Sequence, residues 1–394
     1  MIILPNRNII HLDLDSFFVS VERLQNSSLI GKPILIGGNS DRAVVSSCSY
    51  EARKYGVSSA MPMRMAKMLC PDAIIVRGDM EVYSKYSNMV TDIIDEDAPL
   101  YEKASIDEHY IDITGMDRFY GCLKWSSELR QRIIKETGLP ISFGMSPNKT
   151  VSKIATNEAK PSGQLEIQHE RVRPFLNPLS INKIPMLGQK SYQLLRNMGV
   201  AIIETLSAMP VEMMIRVLGE NGRSIWEKSN GIDNAPVVPY TERKSIGTET
   251  TFEKDTIDII KINELLVTMV EALSYDLRKQ KKLTSCITVK IRYSNFDTHT
   301  RQMRIPYTAS DHVLIDRARE LFKKLYERRM LIRLVGIRFS HLVTGHPQIN
   351  LFEDSTEMVN LYQAIDRLKN RYGETAVVRA VGTTPARKGE AKSL

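Results

Sequence analysis

Two adjacent carboxylates, Asp107 and Glu108, interrupt a stretch from 104 to 113 that is otherwise typical of a β-strand. We expect this stretch to form a hairpin or a strand edge. Neighbouring carboxylates on an apolar strand repel each other and lose solvation unless a cation neutralises them. Because an isolated Asp-Glu pair is most often an exposed turn, the pair indicates chemistry only in combination with further acids.

A third carboxylate, Asp13, lies near the end of another predicted strand. Residues 8–15 read as a buried strand that ends in acids, and a helix follows with Ser16 or Asp15 as its N-cap. Two such strands would bring Asp13 and Asp107 together at one edge of a sheet. Hard divalent cations prefer oxygen ligands, and three carboxylates meet the needs of a two-metal phosphoryl-transfer site. An acid that only caps the helix is the simpler alternative.

Side chains that could hold a phosphate chain lie on two predicted helices. Tyr50 and Arg53 are three residues apart, so they share a helix face from which a hydroxyl and a guanidinium could grip phosphate. Lys160 ends a helix predicted for 148–159, where it could meet a triphosphate or only complement the helix dipole.

Length and composition indicate a globular protein with more than one domain. The chain has 394 residues, of which 42% are hydrophobic and 25% charged, and a formal net charge of +8. The length predicts about two to four domains, and the positive charge favours a polyanionic partner. The four cysteines form no CxxC or Cys/His cluster, which argues against structural zinc or a disulfide framework and favours a reducing cytosol. We expect neither a membrane span nor a signal peptide.

The region from 241 to 343 carries most of the excess positive charge, with 20 Lys and Arg against 13 Asp and Glu. Its pattern predicts strands and helices in the order βαββαβ, an α+β sheet covered by helices on one face. The exposed sheet face could track a duplex backbone. The basic residues on or beside its strands are Arg243, Lys244, Arg292, Arg301, Arg304 and Arg338.

Four motifs occur in order along the first half of the chain. They are Asp13 with Phe17 and Phe18, SYEARKYG at 49–56, SIDE at 105–108, and NEAKPSG at 157–163. Together they resemble the palm and fingers of Y-family translesion DNA polymerases, specifically the DinB branch.

The resemblance implies roles for individual residues. Asp13, Asp107 and Glu108 would hold two Mg²⁺ ions, joined by the backbone carbonyl of Leu14, with Mn²⁺ as an alternative ion. Phe18 would be the steric gate, whose ring leaves no room for a 2′-hydroxyl and so favours dNTPs. The nucleotide-binding residues would be Phe17, Phe18, Ser47, Tyr50, Arg53 and Lys160.

Two further segments extend the resemblance toward DNA and a partner protein. Residues 181–199 resemble a helix-hairpin-helix, which presents backbone N–H groups to phosphate, here with Gly188 and Lys190 as the DNA-binding residues. Met186 stands where such a hairpin usually has its first glycine. Gln348, Leu351 and Phe352 resemble the peptide that docks into the sliding clamp, and a helix predicted for 360–372 could pack on a domain or on a partner.

The implied fold is an α+β multidomain right hand. It comprises a ferredoxin-like palm (1–18 and 78–168), small fingers (19–77), a helix-hairpin-helix thumb (169–233), a linker (234–242), a βαββαβ little finger (243–343) and a clamp-binding tail with one helix (344–394).

The implied function is low-fidelity, template-directed DNA synthesis past damaged template in DNA repair. The enzyme would be a cytoplasmic monomer that binds primer–template DNA, dNTPs and the β sliding clamp. Two alternatives stay open: a nucleotidyl cyclase, whose palm also carries acids on a hairpin, and a DNA- and clamp-binding scaffold with an inactive palm.

Overall fold

The computed structural model describes residues 7–40, 42–116, 121–239, 242–345 and 355–380. Helices and strands form two compact units, Met1–Thr241 and Glu242–Leu394. No helix among these described residues is both long enough and apolar enough to cross a membrane.

The first unit mixes short strands with helices. Its elements are β1 (Ile9–Leu14), α1 (Phe17–Gln25), β2 (Ile34–Ile36), β3 (Ser47–Cys48), α2 (Tyr50–Arg53), α3 (Met63–Leu69), β4 (Ile74–Val76), α4 (Met80–Asp97), β5 (Tyr101–Lys103), β6 (Glu108–Asp112), α5 (Cys122–Thr137), β7 (Ile141–Ser146), α6 (Lys149–Ala159), β8 (Gln164–Glu166), α7 (Val172–Leu176), α8 (Gln189–Asn197), α9 (Ile203–Ser207), α10 (Val211–Leu218) and α11 (Glu220–Ser229).

The larger sheet of this unit has the strand order β5-β6-β1-β7-β8, with β1 at its centre. Strand β1 runs antiparallel to both β6 and β7 and is buried along its whole length. Because side chains alternate along a strand, Ile10 and Leu12 pack into the core that α1, α4 and α5 share. His11 and Asp13 point to the other face, where His11 contacts Thr156 of α6.

Two smaller assemblies complete the first unit. Strands β3, β2 and β4 form a three-stranded sheet whose residues pack with those of α2 and α3 in a core of their own. Helices α7 to α11 share a core with Val151 and Ile154 of α6, so α6 lies between the large sheet and this helical region.

The second unit is a four-stranded antiparallel sheet with helices packed against it. Its elements are β9 (Ser245–Thr256), α12 (Ile259–Lys279), β10 (Lys282–Tyr293), β11 (Thr298–Thr308), α13 (Asp311–Leu325), β12 (Ile332–Thr344) and α14 (Ser355–Tyr372). The strand order is β11-β10-β12-β9, and α12 and α13 share one core with the sheet. The predicted order of strands and helices is confirmed.

The last helix, α14, packs on its own unit. Asp366 accepts two hydrogen bonds from Arg278 of α12, at 2.7 and 2.9 Å. The hydroxyl of Tyr275 donates to Asn370 at 2.7 Å. The sequence left open what this helix packs on, and these contacts show that it packs on α12.

Candidate active site

The register between β1 and β6 places Asp13 directly opposite Glu108. Residues opposite each other in antiparallel strands project to the same face, and one oxygen of each carboxylate lies within 4.8 Å of the other and of a His11 ring nitrogen. Asp107 precedes β6, where its carbonyl accepts the N–H of Leu14 at 3.1 Å. The structure thus brings together two acids that are far apart in the sequence.

Ser105 stabilises the turn between β5 and β6, which carries Asp107 and leads into Glu108. Its hydroxyl oxygen accepts the backbone N–H groups of Asp107 at 3.3 Å and Glu108 at 3.0 Å. The same hydroxyl donates to Asp107 Oδ1 at 2.5 Å. This turn fixes the backbone of both acids and holds the Asp107 side chain close to the chain.

Lys153 of α6 and Lys160 at its C-cap neutralise the facing carboxylates. Lys160 Nζ lies 2.5 Å from Asp13 Oδ1. Lys153 Nζ contacts both oxygens of Glu108, at 2.6 and 2.5 Å. Lys160 was predicted to bind phosphate, but Lys153 was missed, although its spacing of seven residues from Lys160 places both on one helix face.

His11 is a second site residue that the sequence reading missed. It is fully buried, its Nδ1 lies 2.9 Å from Thr156 Oγ1, and its Nε2 lies 3.8 Å from Glu108 Oε2. Burial lowers the pKa of His11 to about 4, so the ring is neutral at pH 7. Strand alternation was the available signal, because His11 stands two residues before Asp13 and therefore shares its face.

The electrostatics of the site suit bound cations. Burial raises the pKa of Asp13 to about 7, although the Lys160 ammonium acts in the opposite direction. Burial also acts to raise the pKa of Glu108, but its contacts with His11 and Lys153 hold that pKa well below the ordinary value. The carboxylate oxygens of Asp13 and Glu108 each lie 2.5 Å from a lysine ammonium nitrogen. Divalent cations also prefer such carboxylate oxygens, so the residues present fit a metal site.

Phe18 is the second residue of α1 and is held by an aromatic neighbour. Its ring stacks on Tyr83 of α4, with the ring centroids 4.2 Å apart and the planes 11° from parallel. Tyr83 is buried and its hydroxyl donates to Glu22 at 2.6 Å. Phe17 is buried in the core beneath α1, so its side chain does not face the site.

Tyr50 and Arg53 of α2 contact each other as their spacing predicted. The guanidinium carbon of Arg53 lies 4.8 Å from the centroid of the Tyr50 ring. The Tyr50 hydroxyl donates to Asp15 at 3.2 Å, and Ser47 lies buried on β3 nearby in the chain.

Comparison with known proteins identifies the family. Residues 12–157 match the impB/mucB/samB family, and residues 243–351 match its C-terminal domain. The chain is 35% identical to a DNA polymerase IV of Dehalococcoides mccartyi, over 94% of this chain and 96% of that protein. It is 37% identical to a DNA polymerase IV of Clostridium perfringens, over 86% of this chain and 95% of that protein.

A solved structure agrees with these relatives. A Y-family DNA polymerase chimera of Dbh and Dpo4 superposes with a TM-score of 0.75 at 25% identity, covering 86% of this chain and all of the chimera. The chain belongs to the DinB branch of the Y-family polymerases.

In this Y-family member the first hairpin position of residues 181–199 is strained. Met186 has φ 73°, in the left-handed region that glycine adopts without cost. Gly188 is the N-cap of α8, and Lys190 lies exposed in the first turn of that helix. Met186 therefore has the left-handed backbone that glycine would readily adopt at this position.

The predicted basic residues of the second unit divide between two faces of the sheet. Arg292 lies on β10, where alternate residues share one face of the sheet. Arg338 stands opposite Thr288 and Arg304 opposite Cys286, two and three alternate positions before Arg292, so the three arginines share that face. The exposed Arg243 and Lys244 directly precede β9.

Arg301 is placed differently from the other predicted phosphate contacts. It pairs with Val289, which is buried in the core beneath the helices. Its guanidinium donates to the carbonyl of Lys324 in α13 at 2.7 Å. Side chains of β11 alternate between the two faces of the sheet, so Arg301 lies on the helix-covered side. The sequence prediction had not distinguished the two faces.

The remaining residues are the three of the expected clamp-binding peptide and His109, which follows Glu108 in the sequence. Gln348, Leu351 and Phe352 lie outside the described residues. His109, next to the acids in the sequence, is buried against α4, where its Nε2 lies 3.1 Å from Thr91 Oγ1. It projects to the opposite face of the sheet from Glu108.

Proposed function

We propose that this chain is a template-directed DNA polymerase that adds dNTPs to a primer 3′ end with low fidelity, for synthesis past damaged template. The observation that carries the proposal is the pairing of Asp13 with Glu108 across β1 and β6, beside Asp107 and facing a lysine-bearing helix. The family and the relatives named DNA polymerase IV support the same function.

The acidic residues form the metal-binding part of the proposed mechanism. Asp13, Asp107, Glu108 and the Leu14 carbonyl would hold divalent cations, for which we propose Mg²⁺, with Mn²⁺ as an alternative. Such cations, when bound, lower the pKa of an attacking hydroxyl and neutralise charge on the phosphates. The carboxylates of buried Asp13 and of half-buried Asp107 and Glu108 supply the negative charge that makes this binding favourable.

The remaining residues bind and select the nucleotide. Lys160 and Arg53 hold the triphosphate as charged donors. Tyr50, whose hydroxyl donates to Asp15, lies beside them with Ser47 and the backbone at Phe17. Lys160 changes partner from Asp13 to phosphate when the nucleotide binds. The Phe18 ring, fixed by its stack on Tyr83, excludes a 2′-hydroxyl.

We propose the division into palm, fingers, thumb, linker, little finger and tail given above, with primer–template DNA bound by the thumb hairpin at Gly188 and Lys190 and by the little finger. We also propose that the protein is a cytoplasmic monomer that binds the β sliding clamp through Gln348, Leu351 and Phe352.

Primer extension with variants of the acids tests the proposed function. Asp107→Ala, Glu108→Gln and Asp13→Asn should each lower the extension rate by about 10³-fold or more, because each removes a ligand of the catalytic cations. Asp112→Asn, at the far end of β6, is a matched control that should retain activity. Primer extension by the three variants at the wild-type rate would refute the mechanism, and product formed from ATP or GTP without DNA would favour a cyclase.

A further inference from the structure

Asp15 has a buried carboxylate that neither the metal site nor the helix cap uses. It is 1% exposed. The sequence offered it as an N-cap of α1, but the N-cap residue is Ser16, whose side chain makes no capping hydrogen bond. The carboxylate of Asp15 is therefore free to bind groups from other parts of the chain.

Three neutral donors from three different elements converge on this carboxylate. The Tyr50 hydroxyl of α2 donates to Oδ1 at 3.2 Å. The Ser142 hydroxyl of β7 lies 3.1 Å from Oδ1 and 2.9 Å from Oδ2, and the backbone N–H of Ser162 donates to Oδ2 at 2.7 Å. A buried carboxylate that accepts several hydrogen bonds fixes its donors strongly, because leaving any of them unpaired is costly.

Two of these donors, Tyr50 and Ser162, belong to the two separate groups that are proposed to hold the triphosphate. Tyr50 stacks with Arg53 on the small three-stranded region. Ser162 follows Lys160 by two residues, and its loop is fixed further because Arg130 donates to the Ser162 carbonyl at 2.7 Å. One carboxylate thus connects the Tyr50–Arg53 pair with the loop that carries Lys160.

We propose that Asp15 is a positioning residue for nucleotide binding, which sets the distance between the Tyr50–Arg53 pair and Lys160 and thereby the affinity for the triphosphate. The inference rests on the proposed polymerase function. Asp15 acts through the backbone and side chains that it holds, while the acids of the metal site act on the reacting groups.

Steady-state kinetics of the full chain on primer–template with dNTP and Mg²⁺ test this role. Asp15→Asn keeps the shape of the side chain but replaces one acceptor oxygen with a donor, so it should raise KM for dNTP about 10-fold while kcat stays within about threefold. Ser142→Ala removes one donor and should raise KM about threefold. The affinity of both variants for primer–template should stay within about twofold of wild type.

Asp233→Asn is the matched control for loss of a structural carboxylate. Asp233 accepts the N–H of Thr150 at 3.0 Å and its hydroxyl at 2.8 Å, at the other end of α6. This variant should lower thermal stability without changing KM for dNTP.

A double-mutant cycle provides a readout that a purely structural role would not move. If Asp15 acts partly by holding Tyr50, then Tyr50→Phe should raise KM less in the Asp15→Asn background than in wild type. Additive effects, or an unchanged KM in both Asp15→Asn and Ser142→Ala, would overturn the inference.

If Asp15→Asn does not fold, the KM of Ser142→Ala for dNTP tests the inference by itself. Wild-type protein that extends no primer refutes the proposed function instead, so the two failures are distinguishable.

Discussion

At the scale of single residues, charge balance explains the arrangement of the site. Two carboxylates face each other across adjacent strands, and without cations their repulsion and burial would be unfavourable. Each carboxylate contacts one ammonium, Asp13 with Lys160 and Glu108 with Lys153. A divalent cation that binds here must therefore compete with these lysines for the same oxygens.

Replacing Lys153 should strengthen cation binding. Lys153→Gln removes the ammonium that contacts both oxygens of Glu108, so we expect the affinity for Mn²⁺ to rise about 10-fold, the size of a charge-assisted hydrogen bond. Electron paramagnetic resonance of free Mn²⁺ measures this without any reaction. Lys149→Gln, one helical turn away and paired with Glu102 at 2.7 Å, should leave the affinity unchanged. Equal or weaker binding in Lys153→Gln would contradict the competition.

Replacing Tyr83 should weaken sugar selection by Phe18. Tyr83→Leu removes the ring on which Phe18 stacks, so Phe18 gains freedom and we expect incorporation of rNTPs to increase relative to dNTPs. The increase should be smaller than in Phe18→Ala, which removes the ring itself. Tyr83→Phe is the control, because it loses only the hydrogen bond to Glu22 and keeps the stack. Unchanged selectivity in Tyr83→Leu would show that Phe18 does not depend on its neighbour.

At the scale of elements, helix α6 connects the parts of the site. One face of it carries Lys153, Thr156 and, at its C-cap, Lys160 toward the acids. Its other residues Val151 and Ile154 pack with α7 to α11. A helix supplies such a row of side chains because residues three, four and seven apart share one face.

The turn before α8 should become more stable when glycine replaces Met186. Met186 is 80% exposed and has φ 73°, so it contributes backbone strain of about 1–2 kcal/mol with little packing in return. We expect Met186→Gly to stabilise this region by about 0.5–1 kcal/mol, after the entropic cost of glycine. Hydrogen exchange of the α8 amides measures the local effect.

Gly199, which follows α8, provides the opposite substitution. It has φ 85°, and no atom lies within 4 Å of the position that a Cβ would occupy there, so Gly199→Ala tests the backbone cost alone. We expect lower protection of the same amides. Similar protection in all three proteins would mean that left-handed backbone carries no measurable strain here.

At the scale of the whole molecule, positive charge is concentrated in the second unit. The excess of Lys and Arg between 241 and 343 accounts for most of the net charge of +8. Only part of that charge lies on the open face of the sheet, since Arg301 points to the helix side while Arg338 does not. Position on a face, and not charge alone, should decide which residues contribute to DNA binding.

Salt dependence of duplex binding distinguishes these two arginines. Arg338→Gln should weaken binding to primer–template and lower the slope of log Kd against log salt by about one, because one phosphate contact is lost. Arg301→Gln removes the same charge from the other face and should leave the slope unchanged. Fluorescence anisotropy over a series of salt concentrations measures both, and equal slopes in the two variants would refute the assignment of the faces.

The sequence by itself determined the residue types and the local elements. Strand-like stretches predicted the β1 strand at 8–15 and a hairpin or strand edge at 104–113, and four ordered motifs indicated the family. Local periodicity also predicted the alternation of strands and helices in the second unit. These features depend on residues that are close together in the sequence, so they can be predicted without the tertiary structure.

Only the tertiary structure decided which side chains meet. The β1–β6 register placed Asp13 opposite Glu108, the packing of α6 brought Lys153 and Thr156 to them, and three elements converged on Asp15. The register of the second sheet likewise placed Arg301 and Arg338 on opposite faces. Contacts between residues that are far apart along the chain depend on strand pairing and helix packing, which short-range sequence patterns do not specify.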